Sequence, residues 1–234
     1  MTDDFDAILG EFDDELDLTL YADAAELAEE VTVQILAAVE KGLKVKSQFH
    51  LVLTGGTLGV QISEALVNEC NADLDAFKGL HIWWSDERFV PVDSVERNAF
   101  PWHGTVKNRN VMVHEVLASD VAQTLEESVS DYELALENVD LDLNILGLGP
   151  DGHVASLFPG QTNVDDQRTI IAIKDSPKPP AERVTFTMQM INRAQEVWIV
   201  AAGEGKAEAV TKIIEGDLSV PASYVRGKIG RAHV

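Results

Sequence analysis

The sequence predicts an α/β fold, a mostly parallel sheet with helices on both faces. Two observations carry this. Apolar runs of strand length alternate along the chain with stretches whose apolar residues recur at helical spacing, the pattern of repeated β-α units. The run at 49–54 is short and mostly apolar, and it stops at Gly55-Gly56, as a buried strand does. There are no internal repeats and no long linkers, so residues 18–234 are expected to form a single domain.

The elements follow in order. Residues 18–21 read as a short strand. Ala24, Leu27, Ala28, Val31, Ile35, Ala38 and Val39 then keep helical spacing, with Gly42 suited to the helix end. After the strand at 49–54, residues 60–70 have helical character. Residues 80–84 and 111–116 are strand candidates. Residues 122–138 form a helix with Leu125, Val129, Tyr132 and Leu136 on one face. The strand at 141–146 runs into Gly147-Leu148-Gly149. Strands are expected at 169–173, 183–187 and 196–201, and helices at 188–194 and 206–215. Residues 1–17 carry eight carboxylates (Asp3, Asp4, Asp6, Glu11, Asp13, Asp14, Glu15 and Asp17), and such a block is expected to be a disordered, solvated arm.

Composition narrows the function. The chain has 234 residues, 18 Lys and Arg against 40 Asp and Glu, and a formal net charge of −22. Phosphate backbones and anionic membrane surfaces both demand concentrated cations, so neither nucleic acid nor membrane is an expected partner. No apolar run approaches the roughly 20 residues of a membrane-spanning helix. The acidic start lacks the basic and apolar regions of a signal peptide. Cys70 is the sole cysteine, which excludes an internal disulfide and a cysteine-based zinc site. A soluble cytoplasmic protein fits, either monomer or homodimer.

In open α/β sheets ligands bind beyond the carboxyl ends of the strands, and four such segments carry unusual residues. Thr54-Gly55-Gly56-Thr57 lies between a strand and a helix. It suits phosphate held by backbone N–H at a helix start, although an ordinary tight turn accounts for it equally well. Asp86, Glu87 and Arg88 follow Trp83-Trp84-Ser85, with Glu96-Arg97-Asn98 shortly after; Asn98 either holds loop backbone or touches a ligand. Gly147, Gly149 and Gly152 surround Asp151 and His153. A histidine oriented by a carboxylate can act as a general base near neutral pH. His50 and His81 fall in expected strands and read as structural, and His103 and His114 as surface or loop residues. The fourth segment, 176–184, is proline-rich and presents Lys178 and Arg183, and Lys206 opens a later helix. Five of the few cations (Arg88, Arg97, Lys178, Arg183 and Lys206) thus fall at strand ends, which points to a pocket for an anionic small molecule such as a phosphate.

These segments together resemble the 6-phosphogluconolactonase family over residues 18–214. The most specific blocks are 83–98, 146–159 and 176–184. Relatives include the glucosamine-6-phosphate deaminases, which share an Asp-Gly-His element and a Rossmann-like fold. The resemblance implies hydrolysis of 6-phospho-D-glucono-1,5-lactone to 6-phosphogluconate in the oxidative pentose phosphate pathway, with no metal or organic cofactor. It implies His153 as general base, with Asp86 and Asp151 orienting the loops or the histidine. Arg88 would serve either the developing oxyanion or the phosphate. Gly55, Gly56 and Thr57 would form the sugar-phosphate loop, and Arg183 and Lys206 would hold the phosphate. The alternatives are an amino-sugar-phosphate isomerase or deaminase, and a catalytically silent sugar-phosphate sensor. Two departures stand out. Gly59 occupies a position where the family loop carries proline. The chain stops at Val234, where the family pattern continues into an element with Trp and Asp, and His233 is no site candidate.

Overall fold

The computed structural model describes residues 17–161, 164–226 and 229–234. Apart from Asp17, the acidic arm lies outside the described residues. In chain order the elements are β1 (Asp17–Thr19), α1 (Ala24–Leu43), β2 (Phe49–Leu53), α2 (Gly56–Ala72), β3 (Leu80–Trp84), β4 (Asp86–Arg88) and β5 (Val111–Val113). Then come α3 (Leu125–Ala135), β6 (Leu143–Gly147), β7 (Ile170–Ile173), β8 (Arg183–Phe186), α4 (Met188–Ile191), β9 (Glu196–Val200), α5 (Ala207–Ile214) and β10 (Ile229–His233).

Seven of the described strands form one sheet in the order β1-β10-β9-β6-β2-β3-β5. All neighbouring pairs in it are parallel. Side chains of a strand alternate between faces, and here both faces are buried. Leu51, Leu53, Ile82, Trp84, Ile145, Trp198 and Val200 belong to one core with Leu27, Val31, Ile35 and Val39 of α1 and Ile62, Leu66 and Cys70 of α2. Val52, Trp83, Leu146, Val197 and Ile199 point the other way, into a second core with Leu125 and Tyr132 of α3 and with Met188, Met190 and Ile191 of α4. This is the expected parallel sheet with helices on both faces.

Local signals set the helix ends. Asp23 caps α1 by accepting from the N–H groups of Ala25 and Glu26, Thr124 caps α3 through Glu127 N–H, and Thr187 caps α4 through Met190 N–H. The start of α2 differs: its N-cap, Gly55, has no side chain to offer. Its first-turn N–H groups are therefore left for a ligand or solvent. Tyr132 pins the end of β3 across the core, since its hydroxyl accepts from Trp84 N–H and donates to Trp84 C=O.

The structure corrects the sequence reading in three places. β7 and β8 are not part of the parallel sheet. They form a separate antiparallel sheet with β4, in the order β4-β8-β7. β4 itself is the charged Asp86-Glu87-Arg88 segment, whose pairing partner Arg183–Phe186 lies about a hundred residues away in sequence. Residues 229–233, which carry no strand signal, form β10 between β1 and β9. Finally, α2 begins at Gly56 rather than at 60, because glycines give no helical pattern.

Candidate active site

The chain leaves β2 toward β3 and β5 on one side of the sheet, and leaves β6 toward β9 and β10 on the other. β2 and β6 are neighbours, so a crevice opens between their carboxyl ends. A cavity of about 360 Å³ lies there. Gly55, Gly56, Thr57, Asp86, Arg88, His153, Arg183 and Lys206 all line it. Asp151 stands behind His153, with its Oδ1 2.5 Å from His153 Nδ1.

The His153 loop is held by its own backbone. Gly149 N–H donates to His153 C=O at 2.8 Å, and Gly152 N–H donates to Gly149 C=O at 3.0 Å. A Cβ on Gly149 would lie 1.9 Å from His153 Nδ1, so only glycine lets the imidazole fold back here. Ala155, also on the cavity wall, adopts a left-handed φ of 49°, a conformation that costs a non-glycine residue about 1 kcal/mol or more. With Nδ1 hydrogen-bonded to the Asp151 carboxylate, Nε2 is left as the basic nitrogen. Burial lowers the His153 pKa below its ordinary value and outweighs the opposing pull of Asp151; the Lys178 charge adds to the lowering. Burial pushes the Asp151 carboxyl upward, but the hydrogen bond and charge of His153, with Lys178 beside it, bring it to a net value below the usual range.

The opposite wall rests on a buried polar network. Asp86 accepts from Ser156 Oγ at 2.6 Å and from Asn98 Nδ2 at 3.1 Å. Asn98 Nδ2 also donates to Asp86 C=O at 2.7 Å. Glu87 faces away from the cavity and takes the N–H groups of Arg88, Asn98 and Ala99. Arg97 lies 3.8 Å from Glu87. Burial raises the Glu87 pKa against those partners. Glu87 and Arg97 therefore build the loop that carries Arg88 and do not reach the cavity. Arg88 Nη1 donates to Glu96 C=O at 2.5 Å, while its buried Nε has no hydrogen-bond partner among the described residues.

Thr57 is in the first turn of α2 and is not its cap. Lys206 ends a short 3₁₀ turn, Glu204–Lys206, just before α5. Burial, and then the charge of Lys178, lower the Lys206 pKa. Arg183 is 4% exposed and lies 3.8 Å from Asp86. Among the described residues, no group of three His, Cys, Asp or Glu side chains converges as metal ligands would.

Comparison with known proteins decides the family. The model for glucosamine-6-phosphate isomerases/6-phosphogluconolactonase matches residues 22–234. The chain belongs to this family. It is 33% identical over 231 residues to a 6-phosphogluconolactonase of Mycobacterium tuberculosis, covering 92% of each chain. It is 34% identical over 230 residues to a 6-phosphogluconolactonase of Streptomyces coelicolor, covering 90% of this chain and 88% of the relative. The crystal structure of a 6-phosphogluconolactonase from Thermotoga maritima superposes with a TM-score of 0.76 at 26% identity, covering 94% of this chain and 98% of that one.

In this family member the segments 54–57, 146–159 and 176–184, singled out at strand ends, meet at the cavity beside Asp86 and Arg88, with Lys178 among the expected cations. Lys178 and Pro179 line it, as do Thr54, Gly147, Leu148 and Ala155. Ser156 supports it from behind through Asp86. The proline-rich segment signalled Lys178, a cation on a stiff loop. Nothing in the sequence signalled Ser156, whose importance comes from a carboxylate seventy residues away in the chain.

Proposed function

We propose that this cavity hydrolyses 6-phospho-D-glucono-1,5-lactone to 6-phosphogluconate, with His153 as the general base. The observation that carries the base assignment is the Asp151–His153 pair, which presents an imidazole whose pKa is lowered by burial beside a cationic crevice. Asp151 accepts a hydrogen bond from Nδ1–H and fixes the ring. Nε2 takes a proton from water, and that water attacks the lactone carbonyl. The tetrahedral oxyanion collapses, the ring C–O bond breaks, and the proton on Nε2 passes to the departing ring oxygen.

Arg88 is assigned to the oxyanion. Its buried, unengaged Nε–H is a donor that gains most when negative charge develops in a site with little water. Asp86 and Asn98 hold the strand end from which Arg88 projects. The sugar phosphate is assigned to Lys206 and to the open N–H groups at Gly56 and Thr57, where the uncapped helix start favours an anion.

The test is a coupled assay. Lactone is generated in situ by glucose-6-phosphate dehydrogenase, and 6-phosphogluconate is followed through the next dehydrogenase. Acceleration beyond spontaneous opening is expected. His153→Ala should lower kcat by about 100- to 10,000-fold with its melting temperature preserved. Wild-type turnover in folded His153→Ala would remove His153 as the base.

A further inference from the structure

The sequence resemblance placed Arg183 on the substrate phosphate. Its surroundings assign it elsewhere. A guanidinium has five N–H donors. Nε donates to Pro180 C=O at 3.2 Å, and Nη2 donates to the carbonyls of Lys178 at 3.0 Å and Pro179 at 3.2 Å. Nη1 donates to Ser156 Oγ at 3.4 Å. Four of the five N–H groups are thereby engaged by the protein, and the side chain is buried. The 176–181 loop closes around it, with Ser176 N–H donating to Ala181 C=O at 3.0 Å. Such a group is a strut for the loop.

The loop carries a different cation into the cavity. Lys178 Nζ lies 3.5 Å from His153 Nδ1 and 3.9 Å from Asp151 Oδ1. The Lys178 side chain is 46% exposed, whereas that of Arg183, on the same cavity wall, is 5% exposed. Lys178 and Lys206 line the same cavity, and the Lys178 charge adds to burial in lowering the Lys206 pKa. Two lysines that share one opening repel each other until a multiply charged anion sits between them. A phosphate dianion answers that arrangement. A flexible ammonium with solvent access can also meet it without a fixed geometry.

We infer that Lys178 is a phosphate ligand and that Arg183 is a positioning residue acting through it. This rests on the lactonase reading for its substrate, but not for its binding test. The kinetic test compares 6-phosphogluconolactone with unphosphorylated glucono-1,5-lactone. Loss of one charge-assisted contact is about 10- to 100-fold, so in Lys178→Gln the preference for the phosphorylated lactone should fall by that factor through KM. Lys178→Arg should recover most of it. Arg183→Lys has three donors on a single nitrogen in place of four spread over a planar fork, cannot span the loop carbonyls and Ser156 together, and should also reduce the preference. If Arg183 acts through Lys178, then Arg183→Lys added to Lys178→Gln lowers the preference no further.

Inorganic phosphate binding, followed by ³¹P NMR on the same folded proteins, gives the second readout. It should weaken in Lys178→Gln and in Arg183→Lys, again without additivity. Failure of wild-type protein to hydrolyse either lactone, with phosphate binding lost in Lys178→Gln, would overturn the lactonase reading alone. Equal losses on both lactones in Lys178→Gln, with phosphate binding intact, would overturn the ligand assignment and tie Lys178 to His153. Fully additive losses in the double variant would return Arg183 to the phosphate.

Discussion

Gly55 shows how tightly the cavity is built at the level of single atoms. A Cβ on Gly55 would lie 1.8 Å from Asn98 Oδ1, and Asn98 is 2% exposed and anchored on Asp86. Neither side can retreat. Gly55→Ala should therefore cost about 1–3 kcal/mol of stability and lower kcat/KM on the order of 100-fold, because the loop and the Asp86 strand end separate. Melting curves and the coupled assay would read this, and adding Asn98→Gly should restore part of the melting temperature. His153 gives a second residue-scale expectation. The base works only when neutral, and burial lowers its pKa. The acid limb of kcat/KM should thus have its midpoint below the ordinary histidine value of about 6.5, in a pH profile corrected for spontaneous opening. Asp151-Gly152-His153 was legible in sequence because the glycine-rich strand end and the carboxylate are local. Ser156 was not, because its role comes from meeting Asp86 across the fold, whereas Asn98 was singled out, and of its two readings it takes the one that holds backbone.

Among the elements, β2, β3 and β5 hold a feature that the sequence underrated. His114 was read as a surface or loop residue, and it does lie in the loop just after β5, but it is not a bystander there. It stacks on Trp83, with centroids 3.8 Å apart and planes 4° apart, and its Nε2 lies 2.9 Å from His81 Nδ1. His50 lies 4.5 Å from the His81 ring and accepts from Trp83 Nε1 at 3.1 Å. His50 and His81 were correctly read as structural, since both are strand residues with partners. Burial lowers the pKa of all three, and neighbouring histidine charges lower His50 and His114 further, bringing His114 to about 4. Asp142 and Asp140 oppose the shift at His50, and Lys46 adds to it. These folded-state pKa values lie below the unfolded value, so the unfolded chain binds more protons as pH falls. Stability should therefore decline from about pH 6.5 toward pH 4, before the carboxylates of ordinary pKa titrate. Thermal melts across that window would show it. His114→Phe, which keeps a ring on Trp83, should flatten the slope, and an unchanged slope would mean the cluster does not set it. The same scale explains the misplaced strands. β4, β7 and β8 are three or four residues long, too short for periodicity to reveal which sheet takes them.

For the whole molecule, charge is the dominant property. A net charge of −22 raises the energy of every compact state through self-repulsion, while the cavity concentrates Arg88, Lys178, Arg183 and Lys206. Screening should favour the compact state. Raising NaCl from about 20 mM to about 500 mM shortens the Debye length from about 20 Å to about 4 Å, and the melting temperature should rise over that range. A falling melting temperature would mean that attractive ion pairs, such as Arg97 with Glu87, outweigh the net repulsion. No described helix is long and apolar enough to cross a membrane.

The sequence by itself determined the alternation of strands and helices, the parallel sheet, the three glycine-bearing or charged strand ends and the Asp151–His153 pair. Each is encoded within about ten consecutive residues by periodicity, glycine placement or adjacency, so neighbours in the chain suffice. Only the tertiary structure decided which of two cavity-lining cations has its donors taken by the protein. Arg183 and Lys178 are five residues apart and equally charged, and no local pattern separates them. The folded loop closes its carbonyls around one guanidinium and leaves the ammonium facing solvent. Hydrogen-bond saturation is a property of the surroundings, and those surroundings exist only once β8, the proline-rich loop and the segment at Ser156 have come together.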